Sequence, residues 1–501
     1  MSDLKLMAKQ SSHYFIGYAL SMVASFISFP IYTRLFSLSD YGVLSLISTT
    51  VFFVMAVGKF GMQNSIIRFY GEAKNNNKSV QLKDYYATLF FGPIVIIGII
   101  SLLYGALVFV LKRSIGDSKA MNYFMLSAVW TFFMCSNIVI KNFLRAEQNT
   151  KLYNLLNVLS KYISLVLGVS LVYFVFRTLA GLYFAFIATE ASIFIYLTLR
   201  LRKRVGFHLM DFNKDFFIES LLYGIPLIGM ELTNILLNVG DRYAILYFMD
   251  TSAVGLYSAG YDLGMCAMET LIFPLSFAIT PIYMGIWAEK GKKETSIFLE
   301  KCLRFFLMIA LPCIFGLNYL SKDITILLAS KKFEYAYVVV PFVSWGVLFF
   351  GLTNIFNAGL LLSKNSNQLA FWTMITGIGN VLLNIILIPK FGLIGAALAT
   401  FMSYLFLVVI LAQKSFMHLK FKIDYFNISK YFIFSLIMIA FLHMFSFDSS
   451  IISILLKLLL GIMIYAVLLL TFDKDVREKI SSFLANKEMR YDVLKFFKIH
   501  V

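Results

Sequence analysis

An all-α membrane protein of about fourteen transmembrane helices is the fold class this chain predicts, on three observations. Of its 501 residues, 60% are hydrophobic and only 14% charged, well below the charged share of an ordinary soluble domain. Apolar windows long enough to cross a bilayer, roughly 20 residues at 1.5 Å each, recur along the whole length. Lysine and arginine gather in alternate connecting segments, as expected of a multi-pass protein. A formal net charge of +17 would suit a nucleic-acid partner in a soluble chain. In one this apolar it reads as loops held against an anionic membrane surface, with no nucleic acid expected.

The predicted spans fall near 14–33, 42–64, 86–111, 122–143, 153–176, 179–200, 217–240, 253–286, 298–320, 337–361, 369–389, 391–413, 428–447 and 451–472. The first run lacks a small-residue cleavage site and leads directly into the second, so it reads as a retained helix. Spans 42–64 and 253–286 have room to run longer and bend. Pro274 and Pro281 lie inside the latter, where proline is expected to break the hydrogen-bond ladder.

Orientation follows from charge. With a cytoplasmic N-terminus, the cytoplasmic segments collect Lys74, Lys78 and Lys83, then Arg200 to Arg204, Lys290 to Lys293, Lys414 to Lys422, and the tail from Lys474. The opposite side keeps chiefly Lys112, Arg113, Lys119, Lys322, Lys331 and Lys332. Both termini are therefore expected in the cytoplasm, with an even number of spans.

The chain also echoes itself. Gly181 to Thr189 matches Gly392 to Thr400 at five of nine positions. Asn137, Ile138 and Leu144 align with Asn354, Ile355 and Leu361, and Ser39 to Gly42 pairs with Ser252 to Gly255. In the same order along both halves, these echoes predict spans one to six repeating as seven to twelve about an axis along the membrane normal. The expected units are a six-helix lobe over 1–205, a second over 206–415, an extra helix pair over 416–472 and a cytoplasmic tail over 473–501.

Other chemistry finds little footing. Cys135, Cys266, Cys302 and Cys313 all fall inside apolar stretches without paired spacing, and read as small packing residues. His13 and His443 lack metal-ligand company, so no metal is expected. No phosphate-cradling loop occurs, and no cofactor is expected.

Several stretches together resemble one family. They are the run from Phe29 through Arg34 and Asp40 to Gly42, then Tyr223 to Leu227, Gly240 to Tyr243, Val254 to Ser258, and Pro389 to Thr400. All are similar to polysaccharide exporters of the Wzx type, and the resemblance covers almost the whole chain. It implies the multidrug/oligosaccharidyl-lipid/polysaccharide exporter fold, MATE-like, with two six-helix lobes facing across a central cavity. It implies a flippase for undecaprenyl-pyrophosphate-linked oligosaccharide repeat units of O-antigen, capsule or exopolysaccharide. Its setting would be the bacterial inner membrane, with a polysaccharide polymerase as a candidate partner and an ion gradient as the expected drive.

Charge inside a span costs about 2.5–3.5 kcal/mol at the helix centre on insertion scales, which marks each such residue as a candidate. The basic candidates for the pyrophosphate or the cavity are Arg34, Lys59, Arg68, Lys141 and Arg145. Arg34 reads either as an interfacial anchor or as a cavity rim. Lys59 sits among Val57, Gly58, Phe60 and Gly61 and reads as facing the cavity. Arg68 lies nine residues further on, half a turn out of register on a straight helix, and reads as a snorkelling cation or an entry contact. Lys141 and Arg145 share one helix face at i, i+4, which anchoring and phosphate contact explain equally; Lys161 is similar. The acidic candidates for ion coupling are Glu190, Glu231, Asp262 and Glu269, since burial raises a carboxyl pKa toward neutrality; the alternative for each is a structural ion pair. Arg242 is expected to pair locally beside Asp241.

Three readings compete. A lipid-linked oligosaccharide flippase working by alternating access leads. A lipid II or drug/cation antiporter of the same superfamily follows; the last two spans and the basic candidates favour an anionic lipid over a drug. A membrane enzyme of polysaccharide assembly is third, because the longest outside loop, near 321–336, has no histidine-with-carboxylate arrangement. The chain is therefore not expected to be an enzyme.

Overall fold

The computed structural model describes residues 2–74, 81–115, 119–444 and 451–478, with the side chains of 2–12, 114, 115, 230 and 267–278 outside that description. The described chain is built from helices, because a backbone in hydrocarbon must satisfy its own polar groups. The first half holds α1 (Ser2–Leu35), α2 (Leu38–Gly58), α3 (Met62–Lys74), α4 (Leu82–Ile115), α5 (Lys119–Ala146), α6 (Thr150–Leu171) and α7 (Leu179–Val205). The second holds α8 (Lys214–Val239), α9 (Asp241–Phe248), α10 (Thr251–Ala329), α11 (Val340–Phe356), α12 (Ala358–Leu362) and α13 (Ser366–Phe416). The helices α14 (Tyr425–His443) and α15 (Ile451–Phe472) follow. Among the described residues eleven helical stretches are long and apolar enough to cross a membrane, so the chain is a multi-pass membrane protein. That count takes α13 once and leaves out α10.

Local chemistry sets the helix ends. A capping box between Ser37 and Asp40 starts α2. Asp250, Asn213 and Asp424 accept from the first-turn N–H groups of α10, α8 and α14, removing otherwise orphaned donors. Gly206, in the left-handed region, closes α7.

Three expectations are corrected. Positions 274 and 281 stay helical within α10, and the departure from helical torsions falls at Gly291, with φ 76°. Glycine accepts that torsion without Cβ strain, whereas each proline removes one ladder bond and leaves the rest. The span over 42–64 runs longer and bends, as a rod from Leu38 to Lys74, and what is corrected is the straight-helix register of Lys59 and Arg68: the rod is broken at Lys59–Gly61, where Phe60 and Gly61 take φ of 45° and 68°. The 321–336 loop is mostly helix: α10 continues to Ala329, and a 3-10 turn over Lys331–Val338 buries Phe333 and Ala336.

Two large apolar clusters organise the packing. One draws Val51, Ile66, Tyr85, Phe143 and Leu182 together, and reaches Phe207 just after α7 and Phe216 at the start of α8. The other draws Ile245, Tyr257, Phe306, Val343 and Ala396 with Tyr431 and Tyr465 of the last two helices. Leu46 of α2 belongs to the second cluster although Val43, Ile47 and Val51 belong to the first. The α2–α3 rod therefore lies between them.

The last helix pair is tied to α10 at two levels. Lys457 of α15 is buried and pairs with Asp323 at 2.9 Å. Arg304 holds the buried Asp473 through two contacts of 2.9 Å and donates to a second partner, Tyr431, at 2.9 Å. The two ties stand about 28 Å apart along α10, close to the hydrocarbon thickness.

Candidate functional site

The break in the α2–α3 rod puts a charged residue where the second half of the chain meets the first. Lys59 caps α2 and is only 6% exposed. Its ammonium pairs with the carboxylate of Glu231 on α8, 172 residues away, and Gln63 donates to the other oxygen of that carboxylate at 3.4 Å. Backbone meets backbone beside this pair: a Cβ added at Gly61 would overlap the carbonyl of Gly224, and one at Gly224 would overlap that of Phe60. One turn on, the Ser65 hydroxyl donates to the Ser220 carbonyl at 2.7 Å, and the Phe69 ring meets Phe216 at 5.4 Å and Tyr223 at 5.9 Å. These contacts form an α3–α8 seam.

A second seam joins α2 to α10 at the other end of the rod. A Cβ on Gly42 would overlap the Thr251 carbonyl, and one on Gly255 would overlap that of Leu38. Ser45 and Ser258 share a hydrogen bond of 2.7 Å, and Tyr41 donates to Asp262 at 2.9 Å. Arg242 is buried, pairing with Asp241 at 3.0 Å as expected of a local partner. It also donates to the Asn238 carbonyl at 2.9 Å and, across the seam, to Ser45 at 3.1 Å, with Tyr261 under its guanidinium at 4.7 Å.

The other candidates are dispersed. Glu190 is buried among α5, α6 and α7, accepting from Asn137 at 2.6 Å and Ser160 at 2.5 Å. Lys141, one turn along α5, is also buried and donates to Asn157 at 3.1 Å. Arg145 is exposed, bonding Asn142 at 3.1 Å and lying over Tyr153 at 5.7 Å. Arg68 is exposed and pairs with Glu72 one turn on, at 2.9 Å. Arg34 donates to the Leu328 and Leu327 carbonyls at 2.8 and 2.6 Å, where cations suit the C-terminal end of a helix. Lys161 donates to the Ser21 carbonyl at 3.3 Å. The side chain of Glu269 lies outside the described residues.

Among the described candidates, the structure thus joins Lys59 and Glu231 by an ion pair, and gives Arg34, Arg68, Lys141, Arg145, Glu190 and Asp262 separate polar partners. Sequence reasoning passed over Lys457 and Asp323. The signal was present, since Lys457 is a cation in the apolar run Ile451–Phe472, the same mark that drew attention to Lys59. No group of three or more histidine, cysteine, aspartate or glutamate side chains that could hold a metal occurs among the described residues.

Two kinked multi-helix bodies of this arrangement define an all-α membrane fold of the MATE-like type. The likeness to solved structures is extensive: to the lipid II flippase MurJ in an inward closed conformation the TM-score is 0.74 at 17% identity, covering 94% of this chain and 99% of that one. An inward-facing multidrug resistance MATE family transporter gives 0.62 at 13% identity, covering 79% and 97%. A model of the family described as polysaccharide biosynthesis protein matches residues 31–338, and the chain belongs to that family. An uncharacterized membrane protein of Methanocaldococcus jannaschii is 26% identical over 38% of this chain and 38% of its own length. A probable low-salt glycan biosynthesis flippase of Haloferax volcanii is 25% identical over 48% and 51%. The chain thus spans about two-fifths and about half of the length of these two relatives.

Proposed function

We propose that this protein is a flippase for lipid-linked oligosaccharides, moving a polyprenyl-pyrophosphate carrier with its sugars from the cytoplasmic to the outer leaflet. The observation that carries the reading is the ion pair of the buried Lys59 with the part-exposed Glu231, at a helix break between the two halves of the chain. A cation kept inside a membrane protein at such a break is suited to an anionic headgroup. Family membership and the name of the Haloferax relative support the substrate class. The undecaprenyl carrier, O-antigen, capsule or exopolysaccharide as product, an inner-membrane setting with both termini cytoplasmic, and a polymerase partner all belong to this reading.

Mechanistically, the lobes 1–205 and 206–415 rock about the α2–α3 rod. The reciprocal Gly42–Gly255 contact supports that division, because a contact across a two-fold axis is self-complementary. In the state described, both the α2–α10 and the α3–α8 seams are closed. Lys59 receives the pyrophosphate as the α3–α8 seam opens to the cytoplasm, and Arg68 and Arg145 guide it in. Asp262, bonded to Tyr41 across the other seam, and Glu190 inside the first lobe are the proposed coupling carboxylates, since each can take a proton without leaving its hydrogen-bonded partners.

Deleting the gene is expected to abolish surface polysaccharide and to leave lipid-linked repeat units on the cytoplasmic side. Normal surface polysaccharide in the deletion strain would overturn the proposal. A lipid II carrier is the second reading, supported by the 0.74 match to MurJ. It predicts arrested wall synthesis instead.

A further inference from the structure

We infer that Glu231 is a built-in rival for the anion that Lys59 receives, so that arrival of a diphosphate headgroup itself unlocks the α3–α8 seam. The inference rests on the transport reading above and deepens it.

Four observations carry it. The Lys59 side chain is 8% exposed and that of Glu231 32%, so the carboxylate is the partner that can leave toward solvated space at the smaller desolvation cost. Lys59 is a compact ammonium, which a diphosphate engages with more oxygens and more charge than one carboxylate offers. Gln63 donates to the same carboxylate at 3.4 Å, so a donor already aimed at that point can pass to the incoming anion. The pair also bridges separate bodies: Lys59 lies at the broken rod and Glu231 on α8, which carries Gly224 on the same seam.

Geometry places this lock at one leaflet. Lys59 stands about 30 Å along the rod from Leu38, the thickness of the hydrocarbon layer. The Gly42–Gly255 contact is at the opposite end. When the diphosphate takes Lys59, α8 loses its charged hold on the rod. The remaining contacts, chiefly Ser65 with Ser220 and the Phe69 edge contacts, then have to keep the seam closed alone. Substrate binding and opening become a single equilibrium, biased by the ligand's differential affinity for the two states.

The test uses the full chain in lipid nanodiscs, with polyprenyl diphosphate as probe and inorganic pyrophosphate as a second arm. Glu231→Gln removes the rival and is expected to bind polyprenyl diphosphate at least about tenfold more tightly than wild type, the scale of one close charge pair. Lys59→Gln is expected to abolish binding, with its melting temperature reporting whether the fold persists. A Ser65→Cys variant, with the four native cysteines replaced by serine, reads the seam. Maleimide labelling should accelerate when the diphosphate lipid is added, and be fast without it once Glu231→Gln is included. Pyrophosphate should bind the same site more weakly; equal affinity would overturn the assignment to a lipid headgroup. If wild type binds and Glu231→Gln binds no tighter, the rivalry is overturned while the transport reading stands. If neither wild type nor Glu231→Gln binds polyprenyl diphosphate, the transport reading falls and takes the rivalry with it.

Discussion

Gly42 and Gly255 each face the backbone carbonyl of the residue four positions before the other, Thr251 and Leu38 respectively. The relation is reciprocal, and Ser45 with Ser258, three residues further along each helix, repeats it at 2.7 Å. Neither glycine can gain a Cβ without pushing α2 away from α10. Gly42→Ala and Gly255→Ala are therefore each expected to disfavour closure of this seam by about 1–3 kcal/mol. Labelling of Ser45→Cys by a membrane-impermeant reagent should rise in either variant, and transport should fall at normal protein level. Unchanged labelling would mean that the helices absorb the methyl group elsewhere.

Lys457 and Asp323 form a tie whose loss strands one charge. Lys457→Met alone or Asp323→Leu alone is expected to destabilise the protein in detergent by about 3–5 kcal/mol, whereas the double replacement should recover most of that loss. A melting-temperature cycle over the four forms checks this. Additive losses would show that the two side chains do not interact.

Asp473 predicts a pH dependence. Burial raises its carboxyl pKa, but hydrogen bonds from Tyr431 and Arg304 outweigh that and hold it below the ordinary carboxylate value. A depressed folded-state pKa contributes stability that is present above the unfolded value, near 3.9, and lost as pH falls through the folded one. Acidification below about pH 4 should thus lower the melting temperature of wild type more than that of Asp473→Asn. Parallel acid profiles would remove Asp473 as a contributor.

Glu190 offers a separation of coupling from architecture. Glu190→Gln keeps an acceptor oxygen for Asn137 and turns an amide donor toward the Ser160 hydroxyl, but cannot ionise. The expected outcome is transport that no longer responds to the ion gradient, measured in proteoliposomes with and without an imposed gradient. Undiminished gradient dependence would assign Glu190 to packing.

The apolar spans and the bend in the second of them were legible in the sequence, and Lys59 stood out as a candidate because insertion cost marks each residue singly. What Lys59 touches was not. Periodicity tells which face of a helix is apolar, but not which of a dozen other helices faces it, and Glu231 is 172 residues away. The register argument separating Lys59 from Arg68 assumed a straight helix; the structure breaks it between them at Phe60 and Gly61, so each falls on its own segment. Pro274 and Pro281 misled for a related reason. Proline removes one bond locally, whereas the turn of the chain needed the torsions of Gly291. The continuation of α10 to Ala329 was hidden by Lys322 and Asp323, polar residues that end a hydropathy window without ending a helix.

The two ionic ties between α10 and the last helix pair bear on how such a chain can be shortened. Removing α14 and α15 would leave a carboxylate at Asp323 and a guanidinium at Arg304 without the partners they now hold, on a face that would then meet hydrocarbon. A viable shorter version would need both positions recoded as apolar residues first. The terminal hairpin of this protein is therefore not a detachable module.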